Sequence, residues 1–409
     1  MKRSSDKVLT LQIAGLQGFY WMIFCPIYAY ASVYLLSKNF SNQDIGWVIA
    51  IGNILAIFLQ PIMGTILDRF THISVKSVLI AMTVICLAML AGMIFVQTGL
   101  AVMAVLYVGI VCLLLTMQPL VNALTFEYIN AGRDVNFGVT RAMGSICFAV
   151  LSTLLGFWLN TYSTEILPIT CMILYALYLL LLLTFEPVKK TPPAHPGDAT
   201  VTDQVVAAAK VGFLNKYERF IPFLIGIAGM FTFHTIINTF LAQIITSLGG
   251  KNTDLGISLT VAALCELPAF VGFSYLVARI SNETLLKFSA VVYMLRSFVF
   301  LLAASVWMIN VGQAFQGLTF AVFIPASVYY INTVMRDEDK VKGQTFITGT
   351  ITLGSFIGSV VGGFLLDRFD VTTMLAFGSA GTILGCILML YAVRNKKALP
   401  VIVPQEEYV

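Results

Sequence analysis

From Ser77 to Phe126 the chain runs for 50 residues without one Asp, Glu, Lys or Arg. About 20 apolar residues of helix cross the hydrocarbon core of a bilayer. In lipid every backbone polar group must find its partner within the chain, which leaves helices or closed barrels. Barrel strands alternate between apolar and polar residues over about ten positions, and this run does not alternate. It is read as two membrane helices joined by a turn near Gln97–Gly99.

Similar runs lie at Val8–Ser37, Ile45–Leu67, Ile166–Phe185, Phe220–Gly250, Ser297–Met335, Gly343–Leu366 and Val371–Val393. Segments 137–162 and 255–278 carry one charge each, at Arg141 and Glu266, and segment 285–307 carries Arg296 beyond Lys287 near its start. Splitting the long runs predicts an all-α membrane protein with twelve transmembrane helices. Charged residues make up only 11% of the 409 residues, against roughly 25% in a soluble domain. That cannot supply the polar skin of a soluble enzyme, nor the charge of a disordered chain. The net charge of +4 is scattered, so no basic face for nucleic acid is expected. The expected partner surface is the lipid bilayer.

Basic residues tend to stay on the cytoplasmic side. With both termini inside, the inner segments hold 19 of the 24 Lys and Arg, and the outer loops hold three: Lys38, Lys251 and Arg368. A multi-pass protein of the plasma (inner) membrane with both termini cytoplasmic is therefore expected. The basic start before Val8–Ser37 is read as the head of the first helix, not as a signal peptide. All seven cysteines fall within spans, which points to packing residues and away from disulfides or a metal site.

One long polar stretch, 186–219, separates six spans from six. The expected units are a six-helix bundle at 1–185, a cytoplasmic linker at 186–219, a second bundle at 220–394 and a tail at 395–409. An offset of 210 relates Asp44-Ile45-Gly46 to Asp254-Leu255-Gly256, Arg69 to Arg279, and Gly144-Ser145 to Gly354-Ser355. Recurrence at one offset points to duplicated halves. In this respect the chain resembles the major facilitator superfamily, whose two pseudo-symmetric six-helix bundles are related by an axis along the membrane normal. The segment Gln60-Pro61-Ile62-Met63-Gly64-Thr65-Ile66-Leu67-Asp68-Arg69 is similar to the superfamily's loop motif. The resemblance makes Gly64, Asp68 and Arg69 a gating motif, in which Asp68 would meet a helix N-terminus across the halves. Gly363-Phe364-Leu365-Leu366-Asp367-Arg368 looks alike but falls on the outer side of helix eleven.

An ionisable residue at membrane depth costs about 2.5–3.5 kcal/mol on insertion scales, so it is a functional candidate by default. The candidates are Glu127, Arg141, His234, Glu266 and Arg296. Glu127 and Arg141 flank one short loop, where they can pair with each other or hold the hydroxyls of a solute. Glu266 lies near mid-membrane beside Pro268, where a lone carboxylate can exchange a proton. It can equally pair with Arg296. His234 has the chemistry of a proton site or of a hydrogen-bonded packing residue. Asn122, Asn238, Gln243 and Gln316 are polar candidates for the same solute, and Phe148 can offer a stacking face.

Phe40-Ser41-Asn42-Gln43-Asp44-Ile45-Gly46, followed by the segment from Gln60, resembles the oligosaccharide–proton symporters, the lactose permease group. That resemblance implies sugar binding by Glu127 and Arg141, stacking by Phe148, a further sugar-binding role for Glu266 and a helix-nine Arg at Arg296. The group's helix-ten His and Glu fall at Gln316 and Thr319. Its paired helix-seven Asp and helix-ten Lys fall at Asn238 and Gln313. Proton coupling is then left to Glu266, Glu127, His234 and Arg296. The expected function is secondary active transport of a small polar solute, a sugar or glycoside, coupled to a proton, by a monomer without cofactors or metal. Alternatives are a nucleoside, an aromatic acid or a drug-like solute. A non-transporting sensor of this fold is expected to carry an appendage larger than the 16 residues after Val393. No phosphate-binding G-x-x-x-x-G-K-[ST] is present, and no catalytic constellation suggests an enzyme.

Overall fold

The computed structural model describes residues 2–70, 72–95, 99–186, 217 and 219–393. Apart from Glu186, Tyr217 and Arg219, the expected linker lies outside the described residues, as do the expected tail and Gln97 of the expected turn. Twelve helices are long and apolar enough to cross a membrane. In the first half they are α1 (Lys2–Phe24), α2 (Asn42–Arg69), α3 (Val75–Phe95), α4 (Leu100–Asn130), α5 (Phe137–Trp158) and α6 (Ile166–Leu183). In the second half they are α7 (Phe220–Thr239), α8 (Asn252–Arg279), α9 (Asn282–Leu301), α10 (Val306–Val334), α11 (Asp337–Arg368) and α12 (Val371–Ala392).

Two departures from straight helices follow from local sequence. At Pro26, whose nitrogen cannot donate, α1 loosens into a π-turn, Cys25–Ala29, before the short helix Ala31–Ser37. Within α10 a 3₁₀ turn, Phe315–Gly317, interrupts what the sequence reads as one span. The Thr319 carbonyl, which accepts from the Phe323 N–H at 2.8 Å, also accepts from Ser289 Oγ of α9 at 3.0 Å.

The repeat has a physical meaning at each matched position. Asp44 and Asp254 close the first turns of α2 and α8 by accepting from the backbone N–H of Ser41 at 3.0 Å and Lys251 at 2.7 Å. Two residues on, a glycine lets each helix touch the opposite bundle. A Cβ on Gly46 would lie 2.2 Å from the Ser359 carbonyl oxygen of α11, and one on Gly256 2.5 Å from the Ser152 carbonyl oxygen of α5. The halves therefore meet along two equivalent seams, α2–α11 and α5–α8.

We call the side where α1 begins and α12 ends the terminal face. Closure is confined to the opposite face. There the core of the first bundle (Ile110, Leu155, Tyr175) runs on into Phe233, Phe240 and Ile245 of the second. Nearer the terminal face the second bundle keeps a core of its own, with Phe223, Tyr293, Phe323 and Met389. At that end Gly64, Gly272 and Gly349 all face open space. The two bundles thus enclose a cleft that is sealed at one face and splayed at the other.

Candidate functional site

Three helices furnish the centre of the cleft. On α1 and the π-turn that continues it, Trp21, Phe24 and Tyr28 fall on one face by helical spacing. Their rings follow one another at 5.2 Å and 4.7 Å between centroids. Arg141, in the first turns of α5, lays its guanidinium over the Trp21 ring at 4.3 Å from the centroid, and faces the Phe270 ring of α8 at 5.9 Å. Its described hydrogen-bonding contact is Ser145 Oγ at 3.5 Å. Glu266 of α8 interacts electrostatically with Arg141 and with Arg296. The Phe270 ring that Arg141 faces lies one turn along α8 from Glu266, so an arginine of the first bundle and a carboxylate of the second are brought toward each other between the halves.

Behind Glu266 lies a network formed by the break in α10. Gly317 brings its backbone so close to α8 that a Cβ would lie 2.0 Å from the Cys265 carbonyl oxygen. That contact sets Gln316 beside Glu266, and its amide donates to Glu266 Oε1 at 2.9 Å. The amide oxygen of Gln316 accepts from Arg296 at 2.5 Å, Gln313 Oε1 from the same guanidinium at 2.6 Å, and Thr319 Oγ1 at 3.3 Å. Arg296 is 0% exposed. The direct alternative, a Glu266–Arg296 pair, is replaced by a bridge through Gln316. The three helix-ten positions that the resemblance to the lactose permease group assigned to proton and ion-pair chemistry are here the three neutral acceptors around Arg296.

The other candidates make contacts of their own. Glu127 is half-buried in the last turn of α4, and the described partners of Arg141 do not include it. Asn122 accepts from Gln17 of α1 at 3.0 Å. Phe148 approaches Phe24, with centroids 6.5 Å apart. His234 stacks on Phe320 at 5.1 Å. The Asn238 amide meets its Nε2 at 3.0 Å and donates to its carbonyl at 2.8 Å. Asn238 and His234 thus engage each other within the second bundle.

Gln243 is at the closed face, donating to Asn42 Oδ1 at 2.9 Å. Beside it the expected latch appears, but on the other motif. The Asp367 carboxylate of α11 accepts from the backbone N–H of Asn42 at 3.1 Å and of Gln43 at 2.7 Å, at the N-terminus of α2. Asp68 and Arg69 are exposed, and a Cβ at Gly64 would touch nothing. In this conformation the described contacts of Asp68 include no helix N-terminus of the other bundle. With the terminal face splayed, the carboxylate that meets a helix N-terminus across the bundles is Asp367.

Sequence reasoning missed Trp21, Phe270 and Gln17. A signal existed for Trp21: one of only four tryptophans, at helical spacing from two further aromatics. Among the described residues no group of three or more His, Cys, Asp or Glu could hold a metal.

The profile of the MFS_1 like family matches residues 11–377. Maltose permease of Geobacillus stearothermophilus is 26% identical over 393 residues, covering 93% of this chain and 94% of the relative. An uncharacterised transporter of Bacillus subtilis is 22% identical over 395 residues, covering 94% of each. Among solved structures, a point mutant of nucleoside transporter NupG superposes with a TM-score of 0.82 at 18% identity, covering 94% of this chain and 100% of that one. A mutant of a peptide transporter, in complex with sulfate, gives 0.71 at 12% identity, covering 94% of each chain. The twelve helices in two bundles with matched seams, and a family profile that spans nearly all of them, make this chain a member of the MFS_1 like family and a transporter of the major facilitator superfamily.

Proposed function

We propose that this transporter carries a sugar or glycoside by alternating access, with Glu266 taking a proton in the cycle. The observation that carries the reading is Arg141 of one bundle brought toward Glu266 of the other, between the rings of Trp21 and Phe270. A guanidinium and a carboxylate are the fork and the acceptor that hydroxyl groups need. Aromatic faces pack the apolar side of a sugar ring. Because the two charges come from different bundles, a solute between them would report its presence to both halves. The relationship to maltose permease supports the sugar class. The basic inner segments support a cytoplasmic terminal face, so the conformation described here would be inward-open, in the plasma membrane and as a monomer.

A second reading is a nucleoside. The row Trp21, Phe24, Tyr28 and Phe148 offers stacking faces for a base, and the fold matches NupG. Purified protein in liposomes, loaded with labelled maltose, glucosides or nucleosides, separates the readings by counterflow. A pH-sensitive dye inside reports proton entry. The expected result is sugar-driven acidification of the lumen, lost in Glu266→Gln, with binding lowered at least about tenfold in Arg141→Lys. Counterflow of nucleosides alone would overturn the sugar reading, and sugar movement with no proton would overturn the coupling.

A further inference from the structure

The charges at the centre of the molecule do not balance. The described ionisable residues that meet there are Arg141, Glu266 and Arg296, two cations sharing one carboxylate. All three hydrogen bonds described for Arg296 run to neutral oxygens, those of Gln316, Gln313 and Thr319. Its Nε has no described partner although it is buried. Arg141 rests on two aromatic rings and one hydroxyl, and its described hydrogen-bonding contacts include no carboxylate. The other titratable groups packed around these charges are Tyr20, Tyr293, His234 and Cys265. As phenols, an imidazole and a half-buried thiol, they supply no negative charge near neutral pH.

A buried cation without an equal counter-charge is costly, and a narrow cleft of one sign draws the opposite ion. When Glu266 binds a proton the excess grows from one charge to two. The geometry points to a transported solute that is itself an anion, a sugar acid such as a uronate or glucuronide, whose carboxylate completes the site. This inference rests on the sugar reading and narrows its substrate class. The Arg141 guanidinium is the natural recipient, because two parallel N–H donors match a carboxylate. The Trp21 indole N–H, buried and without a described partner, adds a donor beside it. The aromatic row that follows on α1 accommodates a ring-sized body, which a small inorganic anion does not have. Co-entry of one proton with one monoanion moves no net charge.

The test uses the full-length protein in liposomes, comparing D-glucuronate with D-glucose and methyl glucuronide with methyl glucoside. Each pair is run with chloride and with methanesulfonate in its place. The expected result is that each acid binds at least about tenfold more tightly than its neutral partner, whether or not chloride is present. Gln316→Glu places a carboxylate against Arg296 and is expected to erase that preference. Should this variant fail to fold, the comparison in the unaltered protein still decides. Neutral sugars transported in preference to their acids would overturn the inference and leave the sugar reading standing. Neutral-sugar transport that needs chloride would also overturn it, by assigning the missing charge to an inorganic anion. Transport of nucleosides but of no sugar, acid or neutral, would remove the sugar reading and this inference together.

Discussion

Gln316 holds two charges apart while linking them: its oxygen faces Arg296 and its amide nitrogen faces Glu266. A carboxylate there would neutralise the arginine directly, and an aliphatic side chain would take from Glu266 its described donor and from Arg296 one of three acceptors. Gln316→Ala is expected to destabilise the protein by about 1–3 kcal/mol, the usual cost of leaving a buried partner unsatisfied. It is also expected to lower transport at least about tenfold. Thermal melting in detergent and uptake into liposomes measure the two effects; an unchanged melting temperature would show that the bridge carries no weight. At this scale the sequence was partly readable. Arg141, Glu266 and Arg296 stand out because charge in an apolar run is expensive. Trp21 and Phe270 do not, because aromatic side chains are common in any span and only the approach of Arg141 singles them out.

The elements that matter most are the four helices of the two seams. Aspartate caps and paired glycines start α2 and α8 alike, and the same offset carries equivalent contacts within each half. A Cβ on Gly144 would meet Trp21 of α1 at 2.4 Å, and one on Gly354 the Ala228 carbonyl oxygen of α7 at 2.6 Å. Gly46→Val would push a branched side chain into the Ser359 carbonyl, where a Cβ alone already sits at 2.2 Å. The closed face is then expected to stay open. Spin labels at Lys38 and Lys251, in the loops preceding α2 and α8, should report a longer distance than in the unsubstituted protein. An unchanged distance would mean that the seam can absorb the side chain. The repeat was legible as matched letters. That the glycines seal one face only was not, because the partners lie in the other half of the chain.

For the molecule as a whole, alternating access requires the seams to part and the terminal face to close. Asn160 of the first bundle bonds Thr253 of the second at the closed face. A disulfide between Asn160→Cys and Thr253→Cys is expected to hold that face shut and abolish counterflow, with activity returning on reduction. Full activity of the oxidised pair would mean that this face need not open. Of the seven native cysteines five are buried and Cys147 and Cys265 are half-buried, so they compete little for the cross-link.

The sequence by itself determined the solvent and the architecture. Charge-free runs of helix length admit only spanning helices, a single offset implies two related halves, and the few charges within spans name the candidates. Only the tertiary structure decided how those candidates meet. It set Arg141 toward Glu266 of the other bundle, placed Gln316 between two charges, and joined Asp367 to the N-terminus of α2. Each of these depends on which helices pack together and at what depth. Such contacts join residues far apart in the chain, and local pattern carries no record of them.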